Sequence, residues 1–326
     1  MAAGTYKKYN IDKEIISTLN KILYDCKLCP HECRTNRHSQ KNGFCKAGYE
    51  PVISSAMAHH GEEPPISGDM GSGTIFFTHC NMKCVYCQNY QISQKHQGRP
   101  VTIEELAQKM LYLQKSGCHN INLVSPTIWV PQIVSAAAIA AKKGLSVPMV
   151  YNTGGYDSIQ TIKMLDGIID IYMPDMRYSS NEMALRYSGI KNYVENNRTA
   201  IKEMYRQVGD LVLDKNGIAT KGILIRLLVL PGNIGGVKET LDFIKTELSV
   251  NVNLSIMAQY HPEYKACKCP QLSRNITLEE YSEVTDYAEK LGFENGWIQD
   301  YGDLSAEEDM FRPDFNRDKV FRYYEE

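Results

Sequence analysis

From residue 74 onward the chain alternates short apolar runs with amphipathic ones, six times over. Thr74–Phe77, Ile121–Val124, Val147–Tyr151, Ile168–Tyr172, Gly222–Val229 and Asn253–Met257 have the length and composition of strands. Helical patterns over 102–117, 131–143, 158–165, 193–208, 237–247 and 277–291 separate and follow them. Thr102-Ile103-Glu104-Glu105 and Thr277-Leu278-Glu279-Glu280 are capping boxes, and Pro131 and Gly144 bracket a third helix. Such alternation predicts parallel strands joined by right-handed crossovers. Six units are too few for a closed eight-stranded barrel. The expected architecture is therefore α/β: an open partial (β/α)6 TIM-like barrel over 71–300, with a cysteine-containing N-terminal extension over 1–70 and a C-terminal tail over 301–326. A flat doubly wound sheet fits the same pattern. The chain has neither a G-x-G-x-x-G after a strand nor a P-loop lysine motif, which disfavours nucleotide-binding versions of that sheet.

In parallel α/β folds function gathers at the C-terminal ends of the strands. The first such end carries Cys80, Cys84 and Cys87 in a C-x3-C-x2-C run. Three thiolates on one tight loop can hold three irons of a four-iron cluster and leave the fourth without a protein ligand. A zinc site completed by His79 or a distant ligand is the weaker alternative, because zinc sites usually pair cysteines in C-x2-C steps and close their coordination. The other ends carry Ser125-Pro126-Thr127, Asn152-Thr153-Gly154-Gly155-Tyr156-Asp157, Met173-Pro174-Asp175, Leu230-Pro231-Gly232-Asn233 and Gln259-Tyr260-His261-Pro262. Taken singly, Asn152 to Gly155 reads as a turn, Asp175 as a helix cap and His261 as a surface residue. Arg226, inside an apolar strand, needs an acceptor, and a structural ion pair meets that need as well as a ligand does. Only their shared position at one mouth makes these residues candidates.

Upstream, Ile11, Ile15, Ile16, Leu19, Ile22 and Leu23 recur at helical spacing. They precede Cys26-x2-Cys29-x3-Cys33, with Cys45 after eleven intervening residues. Four thiolates at this spacing suit zinc or an auxiliary iron–sulfur cluster. Cys267 and Cys269 read as loop thiols and Cys118 as core. Ten cysteines, seven of them in two clusters, point to metal in a reducing compartment rather than to disulfides. A net charge of −2 gives no electrostatic reason for a nucleic-acid or membrane partner. The start of the chain carries no signal-type apolar region, and no run approaches a membrane span, so a cytoplasmic location is expected.

The cysteine run, with Tyr86 just before its third member, resembles the signature of the radical S-adenosylmethionine (radical SAM) superfamily. More narrowly, the chain resembles the uncharacterised radical SAM proteins described as pyruvate formate-lyase activating enzyme-like. That likeness rests on Cys26-x2-Cys29-Pro30-x2-Cys33, His60-Gly61-Glu62-Glu63-Pro64-Pro65-Ile66-Ser67-Gly68, Gly73–Phe77, Cys87-Gln88-Asn89-Tyr90, Tyr151–Tyr156, Ile171–Asp175 and Leu228–Gly232. The resemblance implies a [4Fe–4S] cluster on Cys80, Cys84 and Cys87, whose open iron binds S-adenosylmethionine (SAM). Reductive cleavage of SAM would then give methionine and a 5′-deoxyadenosyl radical that takes hydrogen from a substrate. It further implies a flavodoxin- or ferredoxin-type electron donor. Tyr86 matches the position whose backbone meets the adenine. Asn152, Thr153 and Gly154 fall near the ribose, and Leu230 to Asn233 near the adenine. Ser125 and Thr127 stand where relatives carry a glycine-rich contact to the methionine amino group, a departure in this chain. Gln259 and His261 complete the candidate cofactor set. The target implied is a glycyl radical enzyme; a peptide or small molecule is the alternative, and a metal-binding scaffold without turnover is a third reading.

Overall fold

The structure, a computed structural model, describes residues 11–39, 43–302, 312–317 and 319–321. The expectations for Met1 to Tyr9 and for the rest of the tail lie outside those residues. The N-terminal part contains α1 (Lys13–Ile22), β1 (Val52–His59) and the one-turn α2 (Pro64–Ser67). It leads into β2 (Ser72–Phe77), α3 (Tyr90–Ser93), β3 (Arg99–Pro100), α4 (Ile103–Lys115), β4 (Ile121–Val124), α5 (Val130–Lys142), β5 (Met149–Thr153) and α6 (Ile159–Lys163). Next come β6 (Ile171–Pro174), α7 (Asn181–Ser188), α8 (Tyr193–Val208), β7 (Val212–Leu213) and β8 (Ala219–Leu228). The series closes with α9 (Val237–Glu247), β9 (Asn253–Met257), α10 (Leu278–Leu291) and β10 (Gly296–Ile298). Both capping boxes form: Thr102 and Thr277 accept from the backbone N–H three residues on, and Glu105 and Glu280 reach back.

β2, β4, β5, β6, β8, β9 and β10 pair in parallel in that spatial order. Each crossover therefore advances one place in the same direction. A doubly wound sheet reverses direction at its switch point; this one does not, and the helices lie side by side, α4 against α5, α6 against α8, and α9 against α10. The sheet ends at β3 and β10, which do not pair with each other. The architecture is an open partial barrel.

Several elements go beyond the six expected units, among them two strands that extend the main sheet. β10 adds a seventh parallel strand after α10. β1 adds an antiparallel strand beside β2, so the N-terminal segment shares the barrel's sheet. α1 packs on α5, and buried Arg37 donates to the carbonyls of Gly48 and Ile128 while its guanidinium lies 4.9 Å from the Trp129 ring.

The period-two alternation of each strand sorts its side chains. Ile75, Phe77, Leu123, Tyr151, Tyr172, Ile223, Ile225, Leu227, Leu254 and Ile256 face the helix layer in the main core. Val150, Ile171, Met173 and Leu224 face the interior and, with Ile66, form a small apolar plug. The next inward residues, Asn152, Arg226 and Ser255, form a polar storey above that plug. No helix among the described residues is long and apolar enough to cross a membrane.

Candidate functional site

β2 delivers the chain to the cysteine loop through a sharp turn in which His79 has φ +64°. The turn is pinned by Thr78 N donating to the Val52 carbonyl (2.9 Å), His79 N to that of Ile92 (3.0 Å) and Trp129 Nε1 to that of Thr78 (2.9 Å). Beyond it, Asn81 Nδ2 donates to the Tyr156 carbonyl (2.5 Å) and Gln94 Nε2 to that of Met82 (3.0 Å). Lys83 N and Val85 N donate to the carbonyls of Ser188 and Tyr187 at the end of α7, both at 2.9 Å. Elements scattered over a hundred residues thus hold one loop in place.

The three sulfurs lie in a donor-rich setting. Cys80 Sγ accepts from Met82 N at 3.4 Å. Cys87 Sγ lies 3.2 Å from Ser93 Oγ. Cys84, the most buried of the three, has Ser188 Oγ at 2.9 Å and an Arg177 guanidinium nitrogen at 3.6 Å. Burial, then the charge of Cys84, pushes the Cys80 thiol up to about 12 and the Cys87 thiol up to about 11. Three thiolates forced together in a dry loop call for a positively charged partner. This donor set fits the [4Fe–4S] cluster described for such runs. His79 does not complete a fourth position: its Nδ1 lies 2.7 Å from Thr78 Oγ1 and its ring stacks on His96 at 4.1 Å. Among the described residues no group of three His, Cys, Asp or Glu side chains is arranged to hold a single metal ion.

Beside Cys87 opens a cavity of about 390 Å³. Each of the seven parallel strands, or the residue just beyond it, contributes to its wall: Phe76, Val124, Asn152, Asp175, Arg226, Ser255 and Trp297. A charged ladder crosses it. Arg177 pairs with Asp175 at 2.5 Å, and Arg226 Nε pairs with the other oxygen of Asp175 at 2.9 Å. Arg226 also donates to Asn152 Oδ1 (2.8 Å) and reaches Glu62 at 3.4 Å. Asn122 Nδ2 donates to the other Glu62 oxygen at 2.8 Å. Burial raises the carboxyls of both Glu62 and Glu63, opposed by Arg226, and Glu63 Oε2 has no hydrogen-bond partner.

Of the residues singled out in the sequence, Tyr86, Cys87, Asn152, Gln259 and His261 line this cavity. Thr127 and Thr153 instead donate to buried Asp157, each at 2.7 Å, together with the Tyr151 hydroxyl at 2.9 Å. They brace the ends of β4 and β5 from behind. Ser125 has φ +59°, Gly154 has room only for a hydrogen beside Met82 Sδ, and Leu230 is buried before a single 3-10 turn. Arg226 and Asp175 do form an ion pair. Arg177 carried no sequence signal, whereas Glu62 and Glu63 lay in a motif without an assigned role. Cys26, Cys29, Cys33 and Cys45 line one small enclosed pocket, where Phe44 N donates to Cys33 Sγ at 3.3 Å. Burial, and then the negative charge of the other three, raises Cys29. His31 links this pocket to the cysteine loop, its Nε2 lying 2.8 Å from the Asn81 carbonyl.

The fold and the loop define a class: a sequentially wound, open α/β barrel with three thiols at the mouth of its first strand. Residues 74–244 match the family model of the radical SAM superfamily, and the chain belongs to that superfamily. It is 30% identical over 301 residues to the uncharacterized protein MJ0674 of Methanocaldococcus jannaschii, covering 89% of this chain and 81% of that one. It is 23% identical over 291 residues to the uncharacterized protein MJ0808 of the same organism, covering 80% and 79%. Among solved structures, HydG, a maturase of the [FeFe]-hydrogenase, superposes with a TM-score of 0.48 at 12% identity, over 89% of this chain and 58% of that one.

Proposed function

We propose that Cys80, Cys84 and Cys87 hold the [4Fe–4S] cluster of a radical SAM enzyme, and that the adjoining cavity receives SAM and a polar substrate. The observation that carries this reading is the meeting, at one barrel mouth, of three cysteine thiols on one loop, one buried and two half-buried, and a cavity fed by every parallel strand. A cluster held by Cys80, Cys84 and Cys87 would supply the electron for reductive cleavage of SAM, the chemistry being the cofactor's. The chain's own residues set the geometry. Met82 N, Ser93, Ser188 and Arg177 offer donors to the three sulfurs. Tyr86, Asn152 and Gln259 face the cavity, and the apolar plug closes its floor against water. One electron per turnover comes from a reduced flavodoxin- or ferredoxin-type donor.

The likeness to pyruvate formate-lyase activating enzyme-like proteins points to a glycyl radical partner. The charged ladder favours another target. A glycine brings only its backbone N–H and C=O to Glu62, Glu63, Asp175, Arg177 and Arg226, whereas a small polar molecule or a peptide side chain brings charged or polar groups to match them. We further propose a second thiolate-bound metal at Cys26, Cys29, Cys33 and Cys45, supported by their convergence on one pocket. Anaerobic protein reconstituted with iron and sulfide should absorb broadly in the visible and release 5′-deoxyadenosine from SAM under strong reductant. Cys80→Ala, Cys84→Ala and Cys87→Ala should each abolish both. Zinc alone in the purified protein, with no deoxyadenosine formed, would rule the reading out. Iron and zinc content of a Cys26→Ala/Cys29→Ala double variant tests the second centre.

A further inference from the structure

The end of α7, the segment between β6 and α7, and the cysteine loop together place a chain of hydroxyls against one sulfur. Ser188 Oγ lies 2.9 Å from Cys84 Sγ, Tyr178 OH 2.7 Å from Ser188 Oγ, and Tyr86 OH 2.7 Å from Tyr178 OH. All four residues are buried. We infer that Ser188, Tyr178 and Tyr86 form a donor chain that sets how readily a cluster held at Cys84 accepts its electron. The inference rests on the cluster assignment proposed above.

The direction of the chain follows from its end. A thiolate can only accept, so Ser188 donates to Cys84. The Ser188 oxygen then accepts from Tyr178, and Tyr178 from Tyr86. All three O–H dipoles point toward the sulfur, and each polarises the next. The chain is held rigidly, because the carbonyls of Ser188 and Tyr187 grip the backbone N–H groups of Lys83 and Val85 on either side of Cys84. Arg177 approaches the same sulfur at 3.6 Å. Cys84 therefore has two side-chain donors, where Cys80 has one backbone N–H and Cys87 one hydroxyl and the backbone N–H of Asn89. Reduction adds one electron, from a ferredoxin- or flavodoxin-type donor, and one negative charge; the hydroxyl protons stay on their oxygens. Donors to the ligating sulfur stabilise the reduced form and raise its potential. Tyr86 also lines the cavity, so the far end of the chain lies where a bound ligand would touch it.

The test is a potentiometric titration of the reconstituted cluster, followed by electron paramagnetic resonance. Ser188→Ala should lower the reduction equilibrium about tenfold, about 59 mV for a one-electron couple. Tyr178→Phe, which leaves the Ser188 contact in place, should shift it the same way by less. Tyr172→Phe removes a hydroxyl that bonds Gln207, off the chain, and should leave the potential unchanged. A merely structural role predicts lower unfolding midpoints and unaltered potentials. Ser188→Ala protein with a full cluster and the wild-type potential overturns the inference. Should Ser188→Ala hold no cluster, Tyr178→Phe decides alone, and an unshifted potential there overturns it. Wild-type protein that binds no cluster overturns the cluster assignment, and this inference with it.

Discussion

Asp157 is the residue on which the back of the site turns. Its carboxylate accepts from three hydroxyls, those of Thr127, Thr153 and Tyr151. Burial raises its proton affinity, and the hydroxyls of Thr153, Thr127 and Tyr151 oppose that rise. Asp157→Ala takes the shared acceptor from three buried hydroxyls, of which only Thr127 and Thr153, 3.2 Å apart, can turn to each other. The expected loss is about 3 kcal/mol of unfolding free energy, read from denaturant midpoints, while Asp157→Asn, which keeps an acceptor oxygen, should lose less. If the two variants were equally stable, the hydroxyl cluster would not be what holds the ends of β4 and β5. This arrangement shows why single residues were the least legible level of the sequence. Thr127 and Thr153 stand at strand ends where polar residues read as ligand contacts, yet an aspartate four residues past Thr153 takes up both hydroxyls. Arg177 gave no signal, because its meaning depends on Cys84, ninety-three positions earlier.

At the scale of elements, local signals did better where they were strong. Both capping boxes and the bounds of α8, α9 and β9 follow from periodicity. What stayed hidden was short or weakly apolar. β10 is three residues long, and β1 is built mostly of small residues that need β2 beside them to become a strand. α7 had only Ser180 and Gly189 to mark its ends, and it supplies Ser188 to the site. α10 carries the clearest pH dependence. The Arg274 guanidinium and the N–H groups of Gly232 and Thr277 hold the Glu280 carboxyl down at about 2. A depressed carboxyl stabilises the fold above its unfolded value and loses that contribution as pH falls through the folded one. The stability gap between wild type and Glu280→Gln should therefore be full at pH 6 and shrink as pH falls from about 4.5 toward about 2. Thermal unfolding at stepped pH measures it, and a constant gap would refute the assignment. Thr277→Ala, which removes the other half of the box, should cost about 1 kcal/mol at any pH in that range.

On the scale of the whole molecule, Arg226 ties three distant parts of the chain through one side chain: Asp175 after β6, Asn152 on β5 and Glu62 between β1 and β2. Removing it leaves the buried carboxyls of Glu62 and Glu63 without a countercharge, while Asp175 keeps Arg177. Arg226→Met should destabilise the protein by about 3–5 kcal/mol, visible as a lower thermal midpoint even without cofactor. Residues 312–317 and 319–321 pack beside the mouth above this layer, and Pro313 and Phe321 line it. Phe315 and Phe321 pack on Phe76, and Phe321 stacks on His59 at 4.3 Å. Asp314 accepts from Gln91, and Arg312 pairs with Glu263 beside His261. Under this cover, burial and then the charge of His60 push His59 down to about 3. A histidine held neutral costs stability once the unfolded chain can protonate, so stability should fall as pH drops from about 6.5 toward about 3. Truncation after Gly302 uncovers His59 and one wall of the cavity. The His59 imidazole should then titrate closer to its ordinary value, read from the proton shifts of its ring, and that part of the pH dependence should flatten. The same truncation should quicken bleaching of a reconstituted cluster in air, because the cavity beside Cys87 loses Pro313 and Phe321 from its lining. An unchanged His59 titration in the truncated chain would mean that the strands, not the tail, keep water from the mouth.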